Sequence, residues 1–140
     1  MPRFKYDFPY KKFKVGERTK LLPVIPIEIH NGDSFITYEA LIDSGSEITI
    51  FPADLVAVLG INLKEGKPIE FGGVTGIPGK GYIHSIDLRI KGDKFKANCV
   101  FSNDIAPHGY GILGHFGFFN HFRVKFEYDI GNIELTPIGR

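Results

Sequence analysis

The chain has 140 residues, enough for one domain with a sizeable hydrophobic core. With 43% hydrophobic and 24% charged residues it is globular rather than disordered, and a net charge of +1 argues against a nucleic-acid or membrane-surface binder. The lone Cys99 excludes an internal disulfide framework and a cysteine-rich zinc site, and no apolar run approaches the roughly 20 residues of a transmembrane helix.

Cysteine usage fits a reducing compartment, and the N-terminus lacks an apolar leader, so a cytoplasmic location is expected. Thirteen Phe, 17 Gly and nine Pro, with few helix-forming runs, tilt the composition toward β structure.

Residues 1–20 interleave Lys5, Lys11, Lys12, Lys14 and Lys20 with Phe4, Tyr6, Phe8, Tyr10 and Phe13. Such interleaving suits stacking on single-stranded nucleic acid, but the near-zero charge of the whole chain favours a terminal arm packed on the body or on a partner chain. Residues 21–140 form the domain proper. Leu21 to His30 reads as a strand, irregular or at an edge because of Pro23 and Pro26. Asn31-Gly32 signals a hairpin, and Ser34 to Ile42 is the return strand.

That strand ends in Ala40-Leu41-Ile42-Asp43-Ser44-Gly45-Ser46-Glu47. Apolar residues lead into an acid at the strand tip, where a carboxylate is costly to desolvate unless it is hydrogen-bonded or put to use. Gly45 permits a tight turn and close approach of a ligand, and Ser44 and Ser46 can hold the turn and donate to the carboxylate. In most proteins Asp-Ser-Gly alone is only an Asx- or Ser-stabilised turn.

Ile48 to Phe51 follows as a short strand, and Pro52 to Leu59 as a short helix stopped by Gly60. Ile69 to Gly81 is a glycine-rich hairpin whose tip lets backbone approach a ligand. Tyr82 to Ile90 is a strand with Tyr82, His84, Ile86, Leu88 and Ile90 on one face. Lys91-Gly92-Asp93 turns the chain into a strand from Phe95 to Phe101, and Ile105 to Tyr110 is a loop. Gly111 to Gly114 is strand-like, His115 to Phe122 a second short helix, and Arg123 to Tyr128 a strand with Val124, Phe126 and Tyr128 inward. Gly131-Asn132 turns the chain into a last strand, Ile133 to Leu135.

Two motifs mislead. Gly109 to Gly114 matches G-x-G-x-x-G, but a loop rather than a strand precedes it, and the helix after it is too short for a crossover. Gly73 to Lys80 resembles a P-loop one residue too long, with Gly81 where a magnesium-binding hydroxyl belongs. His108, His115 and His121 lack an acid or cysteine among them at zinc spacing, so no metal and no cofactor is expected.

What remains is an order: a strand ending in Asp-Ser-Gly-Ser, a glycine-rich hairpin, then Ile112-Leu113-Gly114 ahead of a short helix and a strand pair. Over about residues 21–138 this order resembles the retropepsins, the retroviral-type aspartic proteases. The resemblance implies a mostly β, closed-barrel acid protease fold with two short helices and one lobe per chain. It makes Asp43 the catalytic aspartate and Ser44 the hydroxyl that locks two active-site loops together. Gly45 and Glu47 match positions that meet the substrate main chain, while Gly72, Gly73 and Val74 match the tip of the flap. Ile112, Leu113 and Gly114 match the segment packed beneath the aspartate loop.

Family members use two aspartates to activate a water, without metal or covalent intermediate. The sequence holds one Asp-Ser/Thr-Gly, so the implied enzyme is a homodimer with Asp43 at the two-fold axis and a polypeptide as substrate. The alternative is a non-catalytic dimerisation or peptide-binding module of the same fold; a third is a plain turn in an unrelated β domain. Two side-chain expectations follow. Ser46 donates to the aspartate pair and lowers its apparent pKa. His115, where the family commonly has arginine, pairs with Glu47 and weakens the dimer as pH rises.

Overall fold

The structure is a computed structural model that describes residues 4–72, 78–105 and 109–139. In chain order the strands are β1 (Tyr6–Pro9), β2 (Lys11–Val15), β3 (Arg18–Leu22), β4 (Val24–Asn31), β5 (Ser34–Ile42) and β6 (Ile50–Pro52). The helix α1 (Leu55–Leu59) and a 3₁₀ turn (Leu63–Glu65) follow. Then come β7 (Lys67–Phe71), β8 (Gly79–Ile90), β9 (Asp93–Ser102), β10 (Gly111–Leu113), β11 (Phe122–Glu127), a second 3₁₀ turn (Tyr128–Ile130) and β12 (Asn132–Pro137).

Seven strands form one sheet in the order β4-β5-β10-β6-β9-β8-β7, and β4 also pairs with β8, which closes six of them into a ring. Closure is possible because the long β8 divides one edge between two partners. Gly79 to Ile83 pair with β7, and Asp87 to Arg89 pair with β4. The β5–β10 and β6–β9 pairs are parallel; the other pairs of the ring are antiparallel.

Alternation selects the buried face. Ile25, Ile27 and Ile29 of β4, Ile86, Leu88 and Ile90 of β8, and Phe95, Ala97, Cys99 and Phe101 of β9 fill the interior. Pro23 separates β3 from β4, so the strand expected from Leu21 to His30 is broken there. Pro26 lies within β4 opposite Glu39, clear of the stretch that pairs with β8. The β4–β5 turn is Gly32-Asp33, with Gly32 at a left-handed φ of 61°.

A second sheet, β1-β12-β11, packs on the barrel. Phe8 joins Ile133 and Leu135 in the core, and Tyr6 Oη donates to Asp93 at 2.5 Å. Phe118 and Phe122, at 5.5 Å, connect this layer to Phe95. Lys91 Nζ stands 4.9 Å over the Phe8 ring.

Three local expectations change. Pro52 belongs to β6, where it pairs with Ser102, so the helix starts only at Leu55; Gly60 does end it in the left-handed conformation. Residues 115–121 form turns rather than a helix, because Gly117 takes a φ of +98° and breaks the run, and Phe122 already belongs to β11. Phe126 and Tyr128 are 43% and 63% exposed. Val124 and Phe126 share the face of Leu135 and Ile133, but β11 is an edge strand that ends at Glu127, and Tyr128 lies beyond it in the second 3₁₀ turn, its ring 5.6 Å from that of Tyr10.

No helix among the described residues is long and apolar enough to cross a membrane. Burial pushes the Cys99 thiol well above its ordinary pKa, so little reactive thiolate exists at neutral pH. Cys99 should therefore resist a thiol reagent such as iodoacetamide in the native chain and react once urea unfolds it, as followed by mass spectrometry. Phe8→Ala should cost about 3–5 kcal/mol, read from the urea midpoint, because it removes a fully packed ring.

Candidate active site

The site is built where β5 runs out. Ala40 and Ile42 are buried, and β5 lies parallel to β10 with Ala40 beside Gly111 and Ile42 beside Leu113. The ladder continues one residue further, since Asp43 N–H donates to Leu113 O at 3.0 Å. The side chain then emerges half-buried at the strand tip. Gly45 N–H donates to Asp43 Oδ1 at 2.9 Å, and Ser46 N–H to Asp43 O at 3.1 Å, which makes a compact Asx turn.

The loop is held from below by the chain that leaves β10. His115 N–H donates to Ser46 O and Phe116 N–H to Glu47 O, each at 2.9 Å. Gly114 crosses directly beneath, and a Cβ there would lie 2.2 Å from Ile48 O. Thr49 is fully buried and uses both capacities of its hydroxyl: it donates to Phe116 O at 2.7 Å and accepts from Gly114 N–H at 3.2 Å. Nothing in composition pointed to Thr49. The available signal was a hydroxyl inside the apolar run Ile48 to Phe51, where a buried polar group requires partners.

Two side chains act otherwise than expected. Ser46 Oγ donates to Ile48 O at 2.7 Å, so its proton serves the loop's own backbone and is not aimed at Asp43. His115 is bonded through Nε2 to Ser44 O at 2.6 Å, not paired with Glu47. The carbonyl can only accept, so the ring donates. The ring nitrogen expected to face Glu47 is thus spent on a backbone carbonyl, and no His115–Glu47 ion pair forms.

Asp43 opens into a cleft of about 550 Å³. One wall is the loop itself, with Gly45, Ser46, the exposed Glu47 and Ile48. Ile50 and Ile112 add apolar surface beside the carboxylate. The opposite wall is β7, with Ile69, Glu70 and Phe71 leading to Gly72. The β7–β8 arm is firm at this point, since the Phe71 ring lies where a Cβ on Gly79 would be, at 2.4 Å. Gly73 and Val74 lie outside the described residues. Leu113 is buried under the loop.

Behind the site, burial and then the Asp54 carboxylate raise the Tyr38 pKa, so its phenol stays protonated and donates to Gly109 O at 2.9 Å. That bond ties β5 to the segment entering β10. The G-x-G-x-x-G run forms β10 itself, with Gly111 against the Phe51 ring, and is not followed by a helix. The histidines diverge. His121 sits against Phe95 at 4.5 Å, while His108 lies outside the described residues. No group of three metal-ligating side chains occurs among the described residues.

No family model matches this chain, and neither does any curated protein. Solved structures do match. A retropepsin-like aspartic protease from Rickettsia conorii aligns with a TM-score of 0.59 and 12% identity, over 98% of this chain and 95% of that one. EIAV protease, complexed with the inhibitor HBY-793, aligns with a TM-score of 0.48 and 17% identity, over 67% of this chain and 82% of that one. At these identities the likeness is one of fold. The closed, mostly β barrel is retropepsin-like along nearly its whole length.

Two substitutions test the underpinning of the loop. Gly114→Ala should destabilise the chain by about 3 kcal/mol in urea unfolding, because the new methyl group meets backbone oxygens that have nowhere to go. His115→Leu should cost about 1 kcal/mol and speed amide hydrogen exchange at Ser44 to Glu47, since it removes the donor to Ser44 O.

Proposed function

We propose that the chain is an aspartic endopeptidase that works as a two-fold homodimer, with Asp43 of each protomer meeting at the axis. One observation carries the reading. A carboxylate at a strand tip is fixed by backbone bonds in the floor of a cleft walled by a glycine-rich hairpin. A turn that merely closed a strand would need neither the cleft nor the underpinning from Gly114 and Thr49. The retropepsin-like fold of the Rickettsia conorii protein supports the same assignment.

The sequence supplies one such aspartate, so two chains supply the pair. Two carboxylates in contact cannot both ionise cheaply, and the pair holds one proton between them. The ionised member takes a proton from a water as the water attacks the scissile carbonyl. The protonated member donates to the carbonyl oxygen, and the amine leaves as the C–N bond breaks and its nitrogen takes up a proton. With Oδ1 held by Gly45 N–H, Oδ2 is the oxygen that serves the reaction. Ser44 locks the two loops together across the axis, its own backbone steadied by His115.

The substrate is an extended polypeptide. β7 is the terminal strand of its sheet, and its free edge offers backbone groups for an added strand. Gly72 ends this wall of the cleft, at the position that the family resemblance assigns to the flap. The described cleft residues include the acids Asp43, Glu47 and Glu70 and no lysine or arginine, which favours neutral or basic peptide segments.

Peptide-library cleavage, read by mass spectrometry from about pH 4 to about pH 7, tests the proposal. The wild type should cut, and Asp43→Asn should lower kcat/KM by about 10³-fold or more. Sedimentation should show a dimer for both, and a weaker one for Ser44→Ala. A stable dimer with no cleavage under any of these conditions would identify a peptide-binding module instead.

A further inference from the structure

Charge is unevenly spread along the chain. Residues 11–22 hold five cations, Lys11, Lys12, Lys14, Arg18 and Lys20, and a single acid, Glu17, whereas the whole chain carries only +1. The rest of the molecule is therefore net negative, and a net positive patch sits on the β2–β3 hairpin. Lys12, Lys14, Arg18 and Lys20 are all exposed, and none forms an ion pair with a described residue.

Two contacts mount the hairpin beside the cleft. Lys11 pairs with Glu39, and Phe13 meets Tyr110 with ring centroids 5.8 Å apart. Lys11 Nζ also stands 5.4 Å from the centre of the Tyr110 ring. Glu39 precedes Asp43 by four residues, about 13 Å of strand, and alternation puts both on the face opposite the buried Ala40 and Ile42. Tyr110 stands just before β10, two residues from Ile112 in the cleft wall.

Neither β2 nor β3 pairs with another described strand, so each keeps an outer edge. A two-stranded ribbon is marginal in water by itself, and a third strand steadies it. In the register of the hairpin Lys12 and Lys14 share one face, and Arg18 and Lys20 the other. The members of each pair are two residues apart, which is the spacing of acids at alternate positions in an extended chain.

These features select the occupant. A strand edge presents N–H groups as well as carbonyls; a polypeptide answers both, whereas a phosphodiester only accepts. The one aromatic side chain of the hairpin, Phe13, is spent on Tyr110, which leaves no ring there for bases to stack on. We infer that the β2–β3 hairpin is a docking site for an acidic, extended polypeptide segment that the substrate carries outside the cleft. The acidic cleft takes a neutral or basic stretch and the hairpin an acidic one, so the substrate is divided in charge. That the segment belongs to the substrate rests on the peptidase reading above.

The test titrates ¹⁵N-labelled Asp43→Asn protein with a peptide of alternating Glu and Ser, its Gln/Ser counterpart, and oligothymidylate of the same net charge. The Glu peptide should shift the Lys12, Lys14, Arg18 and Lys20 amides, bind about tenfold more tightly than the Gln peptide, and weaken as salt is raised. Lys14→Glu with Lys20→Glu should abolish that preference, and Lys14→Arg with Lys20→Arg should keep it. Equal binding of the two peptides, a preference that charge reversal leaves unchanged, or tighter binding of the oligothymidylate overturns the site. In the wild type, the Glu/Ser segment joined through a Gly/Ser spacer to one end or the other of a cleaved peptide should lower KM about tenfold with little change in kcat. The charge-reversed variant should lose this effect while cutting the untailed peptide as the wild type does. A segment that binds yet leaves KM unchanged at both ends overturns its place in the substrate. Binding without cleavage of any peptide supports the docking site and removes only the peptidase reading.

Discussion

The structure depends on the parallel pairing of β5 with β10 and on its extension by the single bond from Asp43 N–H to Leu113 O. That bond fixes where β5 stops and so where the carboxylate emerges. The chain then crosses under its own loop at Gly114, so close that only a hydrogen fits beneath Ile48 O. A slip of one residue in the pairing would turn Asp43 into the core and Ile42 into the cleft. Register here is therefore strongly specified, and the site inherits the rigidity of the barrel rather than the looseness of a loop.

The same economy governs the hairpin opposite. Because β8 gives half of one edge to β4 and the other half to β7, the strand that seals the barrel also carries the arm beside the cleft. Gly81 permits this: a Cβ there would stand 2.7 Å from Phe101 O. Ser102 Oγ donates to Lys80 O, and Asp104 Oδ2 accepts Lys80 N–H, so the foot of the arm is clamped to the end of β9. Motion of the hairpin about this foot would pull on the barrel wall.

Much of this was legible in the residues. Alternation in β4, β8 and β9 announced a sheet with a buried face, and the apolar lead into Asp43 announced a strand tip. Less legible was anything decided by a distant partner. Whether residues 115–122 coil into a helix depended on Gly117, whose backbone is fixed by Asn120, and on the competing demand of Glu47 O and Ser46 O for the N–H groups of Phe116 and His115. The direction of the Ser46 hydroxyl and the partner of His115 are likewise settled by which carbonyl comes within reach, information that spacing along the chain does not contain. Phe126 and Tyr128 had the right period for an inward face, but period does not reveal that β11 is an edge strand or that it ends before Tyr128.

In the proposed dimer, symmetry gives every feature a second copy. A peptide has direction and the two-fold axis does not, so a substrate meets equivalent walls with opposite backbone polarity at its two ends.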